Sequence, residues 1–371
     1  MRKISQLISS AVLALVTLSA NAAVQPTGPW SSLVIFGDSL SDTGNVLSLT
    51  TAFSQPPFPS FSGAEGRFSD GPVWTEYLAT GLGLPSGAIP SNLLFNGTNV
   101  QAIGAPGGQN YAYGGARTGL GGSAGATTGL LGQLVAWDNS TSILGGGGLT
   151  RAADPDALYV VMIGANDLRD YRSGVSGAST PAAVAGKVVG ALGLLANAGA
   201  RHFMISTLPD LGLTPEAVDL GLTVRSTAAT LAFNGALSAL SSGFDASFQQ
   251  ATGVDLDIRM LDFYGLVNQV VADAAGGNNG AVFGITNIST ACITPGAGSG
   301  QYFFGDATAV ACNVAAFSDE LHPSSRSHQL LGAVALQTAL APVPEPAEFA
   351  MMIAGLLVVA TAMRRRAKAA A

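Results

Sequence analysis

The stretch Leu33-Val34-Ile35-Phe36-Gly37-Asp38-Ser39-Leu40-Ser41-Asp42-Thr43-Gly44-Asn45 decides the fold. Four apolar residues run together, stop at a glycine and give way to polar residues. A short continuous run of this kind reads as a strand buried on both faces. The pattern recurs at Leu158-Tyr159-Val160-Val161-Met162-Ile163, which stops at Gly164, and at His202-Phe203-Met204-Ile205-Ser206. Residues 255–261 form a weaker fourth strand with alternating polarity. Helical segments lie between and after these runs. Residues 181–198 are rich in Ala, Leu and Val, 226–248 are long and amphipathic, and 324–340 read as a last helix against the sheet. Apolar strands alternating with helices predict an α/β fold with a mostly parallel sheet covered on both faces. The Gly/Ser/Thr/Ala-rich stretches 119–149 and 276–301 read as long surface loops. With no repeat and no second core in the pattern, one domain is expected over residues 23–342.

Ligands of such sheets gather at the carboxyl ends of the strands. Ser39 follows the first strand there, beside a glycine that lets the chain turn sharply. It reads equally as a nucleophile or as a helix N-cap. A serine hydroxyl needs a base, and the chain has three histidines. His202 lies in a strand-like run and His328 inside the last helix, both positions that suit packing. His322 lies in Asp319-Glu320-Leu321-His322-Pro323, where an Asp three residues back can hold the imidazole from behind, and Pro323 can open the following helix. The second strand leads into Gly164-Ala165-Asn166-Asp167. Asn166 can donate to a developing oxyanion, or the segment is a plain turn. Asn110-Tyr111-Ala112-Tyr113-Gly114-Gly115-Ala116 brings backbone N–H groups to the same point, or is a glycine-rich loop. Gly121-Gly122-Ser123-Ala124-Gly125 matches the G-x-S-x-G nucleophile elbow, but that motif needs a strand before it and a helix after it. Ser123 is therefore read as a chance match.

Taken with two further stretches, GRFSDGPVWTEYLA at 66–79 and STLPDLGLTP at 206–215, the blocks FGDSLSDTGN (36–45), NYAYGGA (110–116), GAND (164–167) and DELHP (319–323) resemble the GDSL lipases/esterases, also called SGNH hydrolases. They stand in the family's order and span nearly the whole core. The resemblance implies a flavodoxin-like three-layer α/β/α sandwich and hydrolysis of carboxylic esters or lipids without cofactor or metal. Residue by residue, Ser39 matches the nucleophile, and Asp319 and His322 complete the triad. The backbone N–H groups of Ser39 and Gly115 and the side chain of Asn166 match the oxyanion hole, with Gly114 competing for the role of Gly115. Phospholipase, acyltransferase and polysaccharide acetylesterase activities stay open, as does a surface or matrix protein with an inactive hydrolase fold. Phe53, Phe58 and Phe61 read equally as an acyl-binding wall or as packing.

Both ends carry signals of their own. Arg2 and Lys3, an apolar run over 8–18 and Ala20-Asn21-Ala22 read as a signal peptide over 1–22, in preference to a membrane anchor, whose apolar run should be longer. At the other end, Pro344-Glu345-Pro346, an apolar run over 349–363 and the basic Arg364-Arg365-Arg366 with Lys368 resemble a PEP-CTERM sorting segment over 343–371. That resemblance implies a short transmembrane helix, membrane association, an exosortase-type partner and the envelope or matrix of a Gram-negative bacterium; a plain tail anchor is the lesser alternative.

The chain of 371 residues is 48% hydrophobic and 11% charged, a globular composition. Its net charge is −7, and without the two ends 10 basic and 21 acidic residues remain, a net of −11. Such a surface argues against a nucleic-acid partner. Cys292 and Cys312 are the two cysteines. In an oxidising compartment an even count suggests a disulfide, and their spacing fits no zinc pattern.

Overall fold

Alternate residues of a strand point to opposite faces of a sheet, and β1 (Leu33–Gly37) uses both faces for burial. Val34 and Phe36 enter one hydrophobic cluster, while Leu33 and Ile35 enter another. The computed structural model describes residues 29–59, 65–293 and 307–342. The expected signal peptide, the sorting segment and Phe61 lie outside the described residues. Contacts divide the chain into two units, Met1–Ala339 and Leu340–Ala371, and the whole of the sheet lies in the first.

In chain order, β1 is followed by α1 (Asn45–Ala52), α2 (Trp74–Leu82), β2 (Leu93–Phe95), β3 (Val100–Ala102) and α3 (Leu130–Asp138). Next come β4 (Leu158–Met162), α4 (Ala165–Arg172), α5 (Pro181–Ala198), β5 (His202–Ser206), α6 (Pro215–Asp219) and α7 (Thr223–Thr252). The chain continues through β6 (Asp257–Leu261), α8 (Phe263–Ala275) and α9 (Ser325–Leu340). The main sheet is parallel in the order β1-β4-β5-β6, and β2 and β3 form a separate small hairpin. Beyond β1 the sheet is extended by a stub: Gln109 O accepts from Ile35 N, Tyr111 N donates to Ile35 O, and Tyr113 N donates to Gly37 O.

Each face of the sheet has its own layer. Leu130 and Leu134 of α3, Val188 and Leu192 of α5, and Phe233 and Leu237 of α7 pack with Phe36, Val161 and Phe203 on one side. Trp74 and Leu78 of α2, Phe263 of α8 and Leu331 of α9 pack with Ile35, Val160 and Met204 on the other. This is the expected three-layer α/β/α arrangement. One described helix, α5, is long and apolar enough to cross a membrane by length and composition. Its Val184, Val188, Leu192 and Leu195 are buried in the core cluster, the pattern of a core helix.

The region 119–149 departs from expectation. Its glycine-rich flanks are irregular, but α3 inside it is buried along almost its whole length. Its Gly129 and Gly132 suit close backbone approach: a Cβ on Gly132 would sit 1.8 Å from Thr127 O. The surrounding glycines hide the helix from a composition-based reading. Residues 276–293 do form loop, and within them Cys292 is joined to Cys312 by a disulfide.

Candidate active site

Two features hold the chain at the end of β1. A Cβ on Gly37 would lie 2.7 Å from Met162 O of β4, so the tight strand pairing requires glycine there. Gln133 of α3 closes the exposed backbone of that glycine from both sides: Gly37 N donates to Gln133 Oε1 at 2.9 Å and Gln133 Nε2 donates to Gly37 O at 2.7 Å. The polar residues that follow form a buried clamp. Asp42 accepts from the backbone N–H of Gly44, Asn45 and Gly114 at 2.7–2.8 Å. Asn45 Nδ2 donates to Asn110 O and Ala112 O, and Asn110 Nδ2 donates to Ser41 O. The clamp locks the nucleophile loop to the 110–116 segment. Burial pushes the Asp42 carboxyl up to about 6 against the pull of these N–H donors. Burial likewise pushes Asp38 up to about 7, where one N–H donor, that of Leu40, lowers it.

Ser39 Oγ lies 2.8 Å from His322 Nε2, across 283 positions of sequence. On its other side His322 Nδ1 is 2.9 Å from Asp319 Oδ2. A carboxylate only accepts, so the Nδ1 that faces it carries the proton and Nε2 is left to accept from the serine. Asp319 is fully buried, and its Oδ1 also accepts from the backbone N–H of Leu321 and His322 at 2.7 and 2.6 Å. One carboxylate thus folds the loop and orients the ring.

That loop is held from outside as well. Asp70 accepts from Ser318 Oγ, Ser325 N and Ser325 Oγ, each at 2.7 Å, gripping both ends of the segment. Cys292 N donates to Phe317 O, and Ile293 N donates to Ser318 O. The disulfide-bearing segment therefore pairs with the residues just before Asp319.

The sheet stub places the glycines of 110–116 beside the Ser39 loop. Gly114 N is occupied by Asp42. Gly115 N and Ser39 N have no acceptor among the described residues, so Gly115 N rather than Gly114 N is open to a ligand. Gly115 stands at φ +74°, and a Cβ there would meet Ser123 Cβ at 2.7 Å. Asn166, in the first turn of α4, donates from Nδ2 to Ala116 O at 3.0 Å, and its Oδ1 accepts from Arg169 at 3.3 Å.

Ser39, Asn166 and His322 line one cavity. Phe263, Leu266, Val267, Val270 and Val271 of α8 face it at spacings i, i+3, i+4, i+7 and i+8, a single helical stripe. Leu211, Leu213, Phe317 and Leu321 form much of the remaining wall. Phe53 and Phe58 do not line this cavity: Phe53 is exposed, and Phe58 packs edge-on against Phe68. Ser123 lies in the irregular segment before α3, with neither strand nor helix adjoining it. His202 pairs with Asp257 at the sheet's edge, and His328 is fully buried in α9, its Nδ1 accepting from Trp74 N. Sequence reasoning missed the cavity stripe, Gln133, Asp70 and the Arg169–Glu216 pair. The stripe's 3.6-residue period was the available signal for the first of these.

The three-layer fold and the Ser39–His322–Asp319 contacts define a class of protein: an α/β/α sandwich carrying a serine–histidine–aspartate constellation at the carboxyl end of a parallel sheet. More narrowly, residues 33–334 match the GDSL-like Lipase/Acylhydrolase family, and the chain belongs to it. It is 34% identical over 200 residues to the thermolabile hemolysin of Vibrio parahaemolyticus, covering 53% of this chain and 38% of that one. It is 29% identical over 274 residues to Esterase EstA of Pseudomonas aeruginosa, covering 71% of this chain and 40% of that one. The chain thus spans well under two thirds of these relatives' length. Among solved structures, Est24, a carbohydrate acetylesterase from Sinorhizobium meliloti, aligns with a TM-score of 0.38 at 18% identity, over 83% of this chain and 98% of that one.

Proposed function

We propose that this chain is a serine ester hydrolase whose nucleophile is Ser39 and whose substrates carry an apolar acyl group. The observation that carries the reading is the contact of Ser39 Oγ with His322 Nε2 in the lining of an apolar cavity. In the proposed cycle His322 takes the Ser39 proton as Oγ attacks the ester carbonyl. The tetrahedral oxyanion is held by the N–H groups of Ser39 and Gly115 and by the Asn166 amide. Asp319 stabilises the imidazolium, which then protonates the leaving alcohol, and water repeats the sequence on the acyl-enzyme.

The apolar α8 stripe in the cavity wall favours esters with an apolar acyl chain, lipids included, over acetyl groups on polysaccharide. An acyltransferase would use the same acyl-enzyme with a different acceptor. The proposal extends to export by the 1–22 segment and to membrane association and exosortase-type sorting through 343–371, supported by the sequence of those segments.

The test is turnover of p-nitrophenyl acetate, butyrate, octanoate and decanoate by the purified chain and by Ser39→Ala. Loss of the nucleophile should lower turnover by roughly 10⁴–10⁶-fold. Equal activity in both proteins would remove Ser39 from the mechanism. Highest kcat/KM on acetate would redirect the substrate reading to acetyl esters.

A further inference from the structure

We propose that Arg169 is a positioning residue for the oxyanion amide of Asn166, and that Glu216 anchors it to the histidine loop. The inference rests on the ester hydrolase reading and concerns how its oxyanion hole is kept in register.

An asparagine amide has two orientations related by a half-turn, and only one presents N–H to the oxyanion. Arginine donates and never accepts, so the Arg169 guanidinium at 3.3 Å demands Oδ1 on its side. Ala116 O accepts one Nδ2 hydrogen at 3.0 Å, which leaves the second for substrate. Arg169 does more than repeat the choice made by Ala116. A cation against Oδ1 draws electron density from the amide and strengthens its N–H as a donor, an effect enlarged in a weakly polar cavity. Arg169 lines the same cavity as Ser39 and His322.

The guanidinium is itself fixed. Glu216 of α6, nearly buried, pairs with Arg169 and with the fully buried Arg172 one turn further along α4. Arg172 donates in addition to Ser226 Oγ of α7 at 2.9 Å. The backbone N–H of Glu216 donates to Glu320 O at 2.9 Å, inside the loop that carries Asp319 and His322. A continuous polar chain therefore runs from the histidine loop through Glu216 and Arg169 to Asn166. It joins two parts of the site that lie far apart in sequence.

The experiment is a double-mutant cycle on the full chain: Arg169→Met and Arg169→Lys, each with Asn166 intact and with Asn166→Ala. The readouts are kcat and KM for p-nitrophenyl butyrate, inhibition by an alkylboronic acid that forms a tetrahedral adduct with serine, and Tm. With Asn166 intact, Arg169→Met should lower kcat by roughly 10–100-fold, near the lower range for losing an oxyanion donor. KM should stay within about twofold, and boronate affinity should fall in parallel with kcat. Arg169→Lys should recover most of the loss. In the Asn166→Ala background, Arg169→Met should change kcat by less than about threefold, since the two residues act as one unit. Equal losses in both backgrounds overturn the proposal, as does a raised KM with kcat intact. If Arg169→Met does not fold, the Lys substitution carries the same cycle, with a smaller loss that must vanish in Asn166→Ala. Absence of turnover by the wild-type chain on every ester would overturn the hydrolase reading, and this inference with it.

Discussion

Replacing Asp319 by Asn tests the proposed triad with little change of shape. The Asn carbonyl can take the place of Oδ1 and keep the bonds from Leu321 N and His322 N, which hold the loop at 2.7 and 2.6 Å. The –NH₂ then faces His322 Nδ1, where Oδ2 stood at 2.9 Å. Two donors cannot share that contact, so the ring shifts its proton to Nε2 and aims it at Ser39 Oγ. The serine loses its base. The charge is lost as well: at an effective dielectric of about 20, a carboxylate about 4 Å from the imidazolium contributes about 4 kcal/mol, or roughly 10³-fold in rate. The wrong tautomer adds about another decade, so kcat/KM on p-nitrophenyl butyrate should fall on the order of 10⁴-fold. Circular dichroism and Tm should stay close to wild type. Asp319→Ala should match the loss in rate but also lower Tm, because two buried N–H groups lose their acceptor. A D319N variant that folds normally and keeps its rate within tenfold of wild type would refute this assignment.

Two further outcomes are expected from the same geometry. Asp38 has its folded pKa raised to about 7 by burial, above the ordinary 3.8, so its contribution is fully present below about pH 4 and is lost as pH rises through about 7. Asp38→Asn should therefore reduce the decline of stability between pH 4 and 7 by up to about 1.4 kcal/mol per pH unit; urea titrations with the same slope in both proteins would count against a protonated Asp38. The Cys292–Cys312 bond closes a separation of 20 residues, and its removal in a double Ala variant should cost about 3 kcal/mol by loop entropy. Because that segment pairs with Phe317 and Ser318, kcat should fall too; denaturation and kinetic curves insensitive to reductant would contradict a supporting role.

The sheet was legible because buried parallel strands are written as continuous apolar runs, and three such runs end at glycine or at polar residues. The fourth strand was legible more weakly: β6 is a sheet edge and most of its residues are only partly buried. Helix α3 was not legible, since the glycines at 129 and 132 that let it pack closely are those that suggest a loop. Ser39, Asp319 and His322 could be nominated because each sits in a compact motif. The resemblance favoured Gly115 over Gly114 as the proposed oxyanion donor, but the physical reason, Asp42 capturing Gly114 N across 72 positions of sequence, is a long-range contact that the motif does not show.

The residues that support the site share this long-range character, for a physical reason. A nucleophile and its base arrive on separate loops, and each loop must give up its conformational freedom before substrate binds. The Ser39 loop is fixed by Asp42, Asn45 and Asn110, whose buried amides and carboxylate have specific partners in one geometry. The His322 loop is fixed by Asp70 on one side and the disulfide-bearing segment on the other. Apolar packing alone would leave both loops free to slide by a fraction of an ångström, because it is non-directional. Hydrogen bonds are directional, and breaking one inside a protein leaves a buried group unpaired. The concentration of buried polar residues around Ser39 is therefore what the proposed nucleophile role of that serine demands. It also locates where second substitutions should matter: at Asp70, Asn110 and Arg169, each distant in sequence from the side chain it holds in place.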